Sequence, residues 1–322
     1  MSGTYTEAVR RRLAATRLCL GTMYFGTTVP EDTARLLLDR YFERGGRLID
    51  TANCYSFWVD GGTGEESERV VGRWIEDRGV REDVLLATKV GSRPEPPGAP
   101  WPESAEGLRA DVIREQFARS AERLRTDRFD VYFSHIDDAG TELGETLEAF
   151  DALVRAGSVG VVGASNLTSG RLAAARDLSV EHAWAPYEIV QLRHTYLTPS
   201  PGADFAPQLA IDAPMLGYVR EEGGILLQGY SPLLSGAYTR ADREFAPEYA
   251  GAGNARRLET LRTLSRSLGL DAGRLVLAWM VGGEQPVTPV LGVSTLTQLD
   301  EAMDGAAFDL PPSAREELDA AR

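Results

Sequence analysis

A chain of 322 residues, 43% hydrophobic and 25% charged, has the makeup of a folded globular protein and excludes intrinsic disorder. With 34 Lys+Arg against 48 Asp+Glu, the net charge of −14 disfavours nucleic acid and anionic membranes as partners, although one pocket can still carry a local basic patch. Cys19 and Cys54 form no C-x-x-C pair and no His/Cys grouping, so neither a disulfide framework nor a metal site is expected.

In chain order, the opening M-S-G-T-Y-T-E-A-V-R-R-R-L has no apolar core of signal-peptide length, and residues 1–12 are expected to be loosely ordered. No later run approaches the roughly 18 apolar residues of a membrane span, which gives the expectation of a soluble, cytoplasmic protein. Apolar, β-branched runs mark strands at 18–22, 47–51, 84–89, 129–135, 159–165, 188–192, 225–230 and 287–292. Between them, helical periodicity covers 31–44, 65–78, 108–125, 143–156, 168–178, 207–222 and 254–268, and 271–282 reads as one more helix before the last strand. Pro30, Glu31 and Asp32 suit a helix start, and Gly45-Gly46 suits its end. The proline-dense stretch 92–102 is a long loop, 231–253 is irregular, and no Gly/Pro/Ser-rich linker divides the chain. Strands alternating with helices predict a parallel sheet, and eight of them predict an α/β fold closed as a (β/α)8 TIM barrel, a single domain over 1–322.

In such a barrel the active site lies at the C-terminal ends of the strands. Four of the runs carry polar side chains there: Asp50 and Tyr55 in R-L-I-D-T-A-N-C-Y, Lys89 in V-L-L-A-T-K, His135 in D-V-Y-F-S-H, and Ser165-Asn166 in V-G-V-V-G-A-S-N. Taken singly, each has an ordinary structural explanation as a cap, a solvated lysine, a packing tyrosine or a paired histidine. Together they form a proton-transfer set. A phenol with a pKa near 10 is a poor acid at neutral pH, an adjacent ammonium favours its phenolate, and a carboxylate keeps that ammonium charged. A histidine beside the phenol positions a carbonyl oxygen. Delivery of a proton to an oxygen that is becoming negative fits carbonyl reduction by hydride.

On these motifs, with G-T-M-Y-F-G near the start, Gln191 in I-V-Q-L and Y-S-P-L-L-S-G at 230–236, the sequence resembles the aldo-keto reductases from residue 18 to residue 301. It looks most like their bacterial branch acting on sugar derivatives and aldehydes. The resemblance implies an NAD(P)H-dependent reductase in which Tyr55 is the general acid/base, Asp50 and Lys89 tune it, and His135 orients the substrate carbonyl. It also implies a cofactor site. Gly21, Thr22, Met23 and Asp50 would lie beside the cofactor, Ser165, Asn166 and Gln191 would hold the nicotinamide carboxamide, and Tyr230 would stack on the ring. Ser231, Pro232, Leu233, Ser235 and Gly236 would line the pyrophosphate, with Gly292, Ser294, Gln298 and Glu301 at the adenosine end.

The pattern departs from relatives at that end. Ser294 and Gln298 stand where an arginine commonly grips the 2′-phosphate, and Ala302 replaces an asparagine. A serine contact is weaker than a bidentate, charge-assisted arginine one. NADP(H) is therefore the family expectation, NAD(H) is a second candidate, and Arg240, Arg243, Arg256 and Arg257 are possible compensating cations. Tyr24, Trp58 and Trp101 lie on catalytic-side loops and are candidates to wall a small-molecule carbonyl, an aldehyde, a ketosugar or a secondary-metabolite ketone. Two other readings compete: a regulatory cofactor-binding subunit like the channel β-subunits that share this fold, and a barrel enzyme using Lys89 as a Schiff-base nucleophile.

Overall fold

The computed structural model describes residues 2–321. Its strands are β1 (Cys19–Gly21), β2 (Leu48–Asp50), β3 (Leu85–Val90), β4 (Phe129–Ser134), β5 (Val159–Ser165), β6 (Tyr187–Arg193), β7 (Leu226–Tyr230) and β8 (Val287–Gly292). Each pairs in parallel with the next, and β1 closes on β8. The helices are α1 (Ser2–Ala14), α2 (Glu31–Glu43), α3 (Glu66–Arg78), α4 (Ala110–Leu124), α5 (Leu143–Arg155), α6 (Ser169–His182), α7 (Ala213–Glu222), α8 (Ala252–Leu268), α9 (Ala272–Val281), α10 (Leu296–Ala307) and α11 (Pro312–Ala320). The molecule is a (β/α)8 barrel, and among the described residues no helix is long and apolar enough to cross a membrane.

Successive strand residues face opposite sides of the sheet. One set, including Cys19, Leu48, Leu85, Val131, Phe133, Val161 and Ile189, fills the barrel interior, and the other meets the helices. The interior is crowded enough to require a glycine: a Cβ on Gly163 would lie 2.3 Å from the Phe133 ring.

Two expectations about elements are corrected. Residues 2–14 are helical, because Thr6, Val9 and Leu13 form one stripe at i, i+3 and i+7 that is buried under the barrel. Gly160 makes room for that docking, since a Cβ there would lie 2.8 Å from Val9. The helix expected over 207–222 begins only at Ala213, because Ala210 bridges to Arg193 and the Asp212 carboxylate accepts the Met215 N–H at 2.8 Å as an N-cap. Helices α10 and α11, unassigned from sequence, complete the shell.

Candidate active site

Interior-facing rows that start apolar at the floor end in polar side chains at the C-terminal mouth. Asp50 ends β2, Lys89 lies near the end of β3, and His135 directly follows β4, its N–H held by Val90 O at 2.8 Å. Gln191 faces inward from β6, and its Nε2 reaches across the barrel to Asp50 Oδ1 at 3.0 Å and to Gln228 Oε1 at 2.9 Å.

Asp50 and Lys89 are almost completely buried. The Lys89 ammonium donates to Asp50 Oδ2, to Thr51 O at 2.9 Å and to the Tyr55 hydroxyl oxygen at 2.9 Å. An ammonium has three donors and no acceptor. The Tyr55 oxygen is therefore the acceptor in this pair, and its own hydrogen stays free for a ligand. Burial pulls the Lys89 pKa down, but the Asp50 carboxylate and the Tyr55 oxygen outweigh it and hold Lys89 above its ordinary value.

Tyr55 departs from the sequence expectation of a lowered pKa. Burial pushes the phenol up further than the Lys89 ammonium pulls it down. The phenol is thus protonated at neutral pH, and the ammonium acts on the phenolate only as it forms. Its ring lies edge-on to His135, 5.6 Å between centroids. Burial, and then Lys89, holds His135 well below its usual pKa, so the imidazole is neutral. Cys54, to which sequence reasoning gave no role, lies 3.5 Å from His135 Nδ1. Burial raises this thiol, so it keeps its hydrogen and donates to Nδ1. The imidazole hydrogen then sits on Nε2.

The other expected positions fall into two groups. Ser165 and Asn166 end β5 and are buried. The Asn166 carboxamide is fully engaged: Nδ2 donates to His135 O and Ser165 Oγ, each at 3.0 Å, while Oδ1 accepts from Leu209 N at 3.1 Å and Tyr230 OH at 2.8 Å. Asn166 therefore braces this corner of the mouth, and the groups left to meet a ligand amide are the Ser165 hydroxyl hydrogen and Gln191 Oε1. Thr22 is corrected similarly. It is fully buried, and its hydroxyl donates to Asp50 O at 2.9 Å and meets Ser67 Oγ at 2.7 Å, so it ties β1 to β2 instead of offering a ligand a donor. Gly21 serves close packing of β1 on β8, since a Cβ would lie 3.2 Å from Val290, and Met23 packs beside Tyr55.

The loop after β7 carries its own signature. Among the described residues, six non-glycines have positive φ; Arg125 and Ala183 are helix C-caps, and the other four are Asn166, Ser231, Leu234 and Ser235. Leu233 at φ −105° is followed by Leu234 at φ 46°, and the turn closes on itself, with Leu234 N donating to Ser231 O at 3.3 Å and Gly236 N to Leu233 O at 2.9 Å. Strained non-glycine backbone clusters at functional sites. Pro232 is fixed from behind, its carbonyl accepting the Thr195 hydroxyl at 2.6 Å, and Gly236 lies against the Arg240 stem.

At the far end, Gly292 is exposed with open space at its Cβ. Gln298 Oε1 accepts from Ser294 N at 2.9 Å and from Ser294 Oγ at 3.2 Å, so these two side chains satisfy each other. Of the arginines considered from sequence, Arg240 pairs with Asp242 and Arg257 donates to Tyr196 O at 3.0 Å. Arg274, which no sequence motif marks, stands 3.8 Å from Glu301 and 3.0 Å from Asp271.

Tyr24 and Trp58 are 38% and 46% exposed, with Trp58 6.4 Å from Tyr24 and 6.2 Å from Tyr55 in edge contacts. Trp101 is held down instead. Its indole N–H donates to Ser92 O at 2.9 Å and its ring packs on Phe57, so it supports the wall from behind. Arg193 also escaped sequence reasoning; it ends the β6 interior row, 5.8 Å from the Tyr230 ring.

A model of the Aldo/keto reductase family matches residues 17–322. The uncharacterized oxidoreductase YrpG of Bacillus subtilis is 30% identical over 309 residues, covering 95% of this chain and 92% of its own. Norsolorinic acid reductase stcV of Emericella nidulans is 29% identical, covering 91% and 74%. A crystal structure of an aldo/keto reductase from Klebsiella pneumoniae with NADP and acetate superposes with a TM-score of 0.69 at 21% identity, covering 94% of this chain and 89% of that one. The chain belongs to the aldo/keto reductase family and is an NAD(P)H-dependent oxidoreductase.

Proposed function

We propose that the protein reduces an aldehyde or ketone whose carbonyl oxygen is seated between Tyr55 and His135. The observation that carries this reading is the Lys89 ammonium, whose three hydrogens are directed at Asp50, Thr51 O and Tyr55, leaving the phenolic hydrogen to a ligand. NAD(P)H, when bound, supplies the hydride. Ser165 and Gln191 would hold its carboxamide with Asn166 bracing them, Tyr230 would take the ring, and the run 231–236 would line the pyrophosphate. Gly292, Ser294, Gln298 and Glu301 would line the adenosine end.

The chain's own residues supply the rest. His135 Nε2–H and Tyr55 O–H are two neutral donors aimed at one oxygen, the arrangement that stabilises developing negative charge. As the carbonyl carbon is reduced, its oxygen takes the Tyr55 proton. Lys89 stabilises the phenolate so formed, and Asp50 keeps Lys89 charged. Schiff-base chemistry at Lys89 would need a neutral amine; an ammonium held by three acceptors and raised in pKa supports the acid-tuning role instead.

The half-exposed Tyr24 and Trp58 rings support a substrate that packs a ring face on aromatics, either the flat ring of an aryl carbonyl or the C–H face of a ketosugar. One relative, 24% identical, is named an aryl-alcohol dehydrogenase. With Ser294 and Gln298 occupied by each other, NAD(H) is accepted beside NADP(H). Oxidation of NADPH and NADH is to be followed with a panel of aryl aldehydes, alkyl aldehydes and ketosugars. Tyr55→Phe is expected to lower kcat by about 10³-fold with cofactor binding retained. Comparable turnover by that variant removes Tyr55 as the acid.

A further inference from the structure

Behind the catalytic loop, three buried polar atoms have no partner: Asn53 Oδ1, Glu106 Oε2 and the Tyr132 hydroxyl. Two of these belong to side chains already bonded to each other. Asn53 Nδ2 donates to Glu106 Oε1 at 2.8 Å and uses its other hydrogen on Gln116 Oε1 at 3.1 Å. The same Glu106 oxygen accepts from Gly91 N at 2.8 Å. An ionised Glu106 would leave a charged oxygen desolvated and without a donor, and Asn53 Oδ1 equally unsatisfied. A proton on Oε2 removes the charge and creates the missing donor. The carboxylic acid and the carboxamide then match group for group, O–H to Oδ1 and N–H to Oε1.

Position gives this pair its meaning. Asn53 lies two residues before Tyr55, and Gly91 lies two residues after Lys89. One oxygen of Glu106 thus joins the segment carrying the phenol to the segment carrying the ammonium. Glu106 also sits at the base of a hairpin in which Pro94 bridges Ala105, Glu106 N donates to Arg93 O at 2.8 Å, and Trp101 occupies the tip. Resting on the assignment of Tyr55 as the acid, we propose that Glu106 is a positioning residue, a neutral carboxylic acid paired through both oxygens with Asn53. It locks the catalytic loop to the end of β3 and to the hairpin, and so keeps Tyr55 within reach of Lys89. The groups facing it are the Arg93 guanidinium from its own loop, the Cys54 thiol from the catalytic loop and the Tyr132 phenol from β4. Burial outweighs the hydrogen bonds from Asn53 and from the Gly91 and Arg93 N–H groups, together with the Arg93 charge, and pushes the Glu106 carboxyl up, in agreement with the protonated form.

The test compares Glu106→Gln and Glu106→Ala in the full chain. Glutamine keeps the acceptor for Asn53 and Gly91 and donates to Asn53 Oδ1, so Glu106→Gln is expected to hold kcat near wild type. It should also erase a protonated-carboxyl infrared band that the wild type shows at neutral pH. Glu106→Ala is expected to lose about 10–100-fold in kcat, with NADPH affinity by fluorescence titration unchanged. If the alanine variant does not fold, Asn53→Ala breaks the same pair from the other side and is expected to show the same loss. Full kcat in Glu106→Ala or Asn53→Ala, equal losses in the glutamine and alanine variants, or no infrared difference between wild type and Glu106→Gln each overturn the proposal. Inactive Tyr55→Phe with fully active Glu106→Ala removes the clamp alone, whereas an active Tyr55→Phe removes the acid assignment itself.

Discussion

The floor and the mouth of this barrel are built from the same interior rows and have opposite chemistry. At the floor, Val9 and Leu13 of α1 close on Cys19, Leu48, Leu85, Val131 and Ile189 in one apolar cluster. At the mouth, a few residues along the same strands, stand Asp50, Lys89, Gln191 and Arg193. The floor needs only volume and apolar surface, and many sequences meet that requirement. The mouth holds an ion pair almost completely out of water, a state that persists only because each partner has its full set of bonds. Tolerance to substitution is therefore expected to differ sharply between the two ends.

Lys89→Met is the sharpest way to probe that difference. Asp50 would keep the Gln191 donor but lose its countercharge, and breaking a buried pair from one side costs about 3–5 kcal/mol of stability. Tyr55 would lose the ammonium that stabilises its phenolate, and kcat is expected to fall about 10²–10³-fold. Full kcat at neutral pH in a folded Lys89→Met protein would mean that the ammonium has no part in the acid step.

The floor should respond in one way only. Leu13→Ala opens a cavity beneath the barrel and is expected to cost about 2–5 kcal/mol in chemical denaturation, with kcat/KM unchanged. A parallel loss of activity in the folded variant would show that the two ends are coupled and that the contrast fails.

Much of this was legible in sequence, and the reasons differ by region. All eight strands fall close to the expected bounds because a parallel barrel strand is buried on both faces and reads as a continuous apolar run. Asp50, Lys89 and His135 were visible because each interrupts or ends such a run. Helix α1 was missed because its buried stripe is only Thr6, Val9 and Leu13, set among Arg10, Arg11 and Arg12. Helix α10 goes unassigned in the sequence because its polar first turn hides the stripe of Leu299, Ala302 and Ala306. Glu106, Cys54 and Arg193 could not be found by pattern at all. A single glutamate before a helix reads as solvated, and only folding reveals that it meets Asn53 and Gly91. The sign of the Tyr55 shift was also out of reach, because burial, the term that decides it, depends on the whole mouth being closed.

Acid should act on stability through two partly buried histidines, His135 and His194, that follow β4 and β6. Burial, and then Arg257, lowers the His194 pKa to about 4, and burial, then Lys89, holds that of His135 well below its ordinary value. A depressed folded-state pKa means that the unfolded chain binds more protons once pH drops below its ordinary value near 6.5. Stability from this source is complete above about pH 6.5 and lost as pH falls toward 4, with His194 alone contributing about 3 kcal/mol at the end of that window. Equilibrium unfolding from pH 7 to pH 4 checks it, and His194→Asn should flatten the slope. An unaltered slope in that variant would show that His194 is not the group taking up protons.

Within the mouth there is a second contrast, between the buried proton-transfer corner and the exposed adenosine end, and it predicts the smallest effect. Ser294 is exposed, and its backbone N–H already bonds Gln298 Oε1, a contact that any residue at 294 can keep. Ser294→Arg therefore adds a guanidinium without disturbing packing. A charge-assisted contact to a 2′-phosphate contributes about 1.5–3 kcal/mol, and solvent exposure cuts that to roughly a tenfold shift in the NADPH/NADH ratio of kcat/KM. The shift should appear as tighter NADPH binding with kcat unchanged, because the substitution lies far from Tyr55 and acts on ground state and transition state alike. An unchanged ratio would mean that the phosphate is met elsewhere, with Arg274 beside Glu301 the first residue to substitute next.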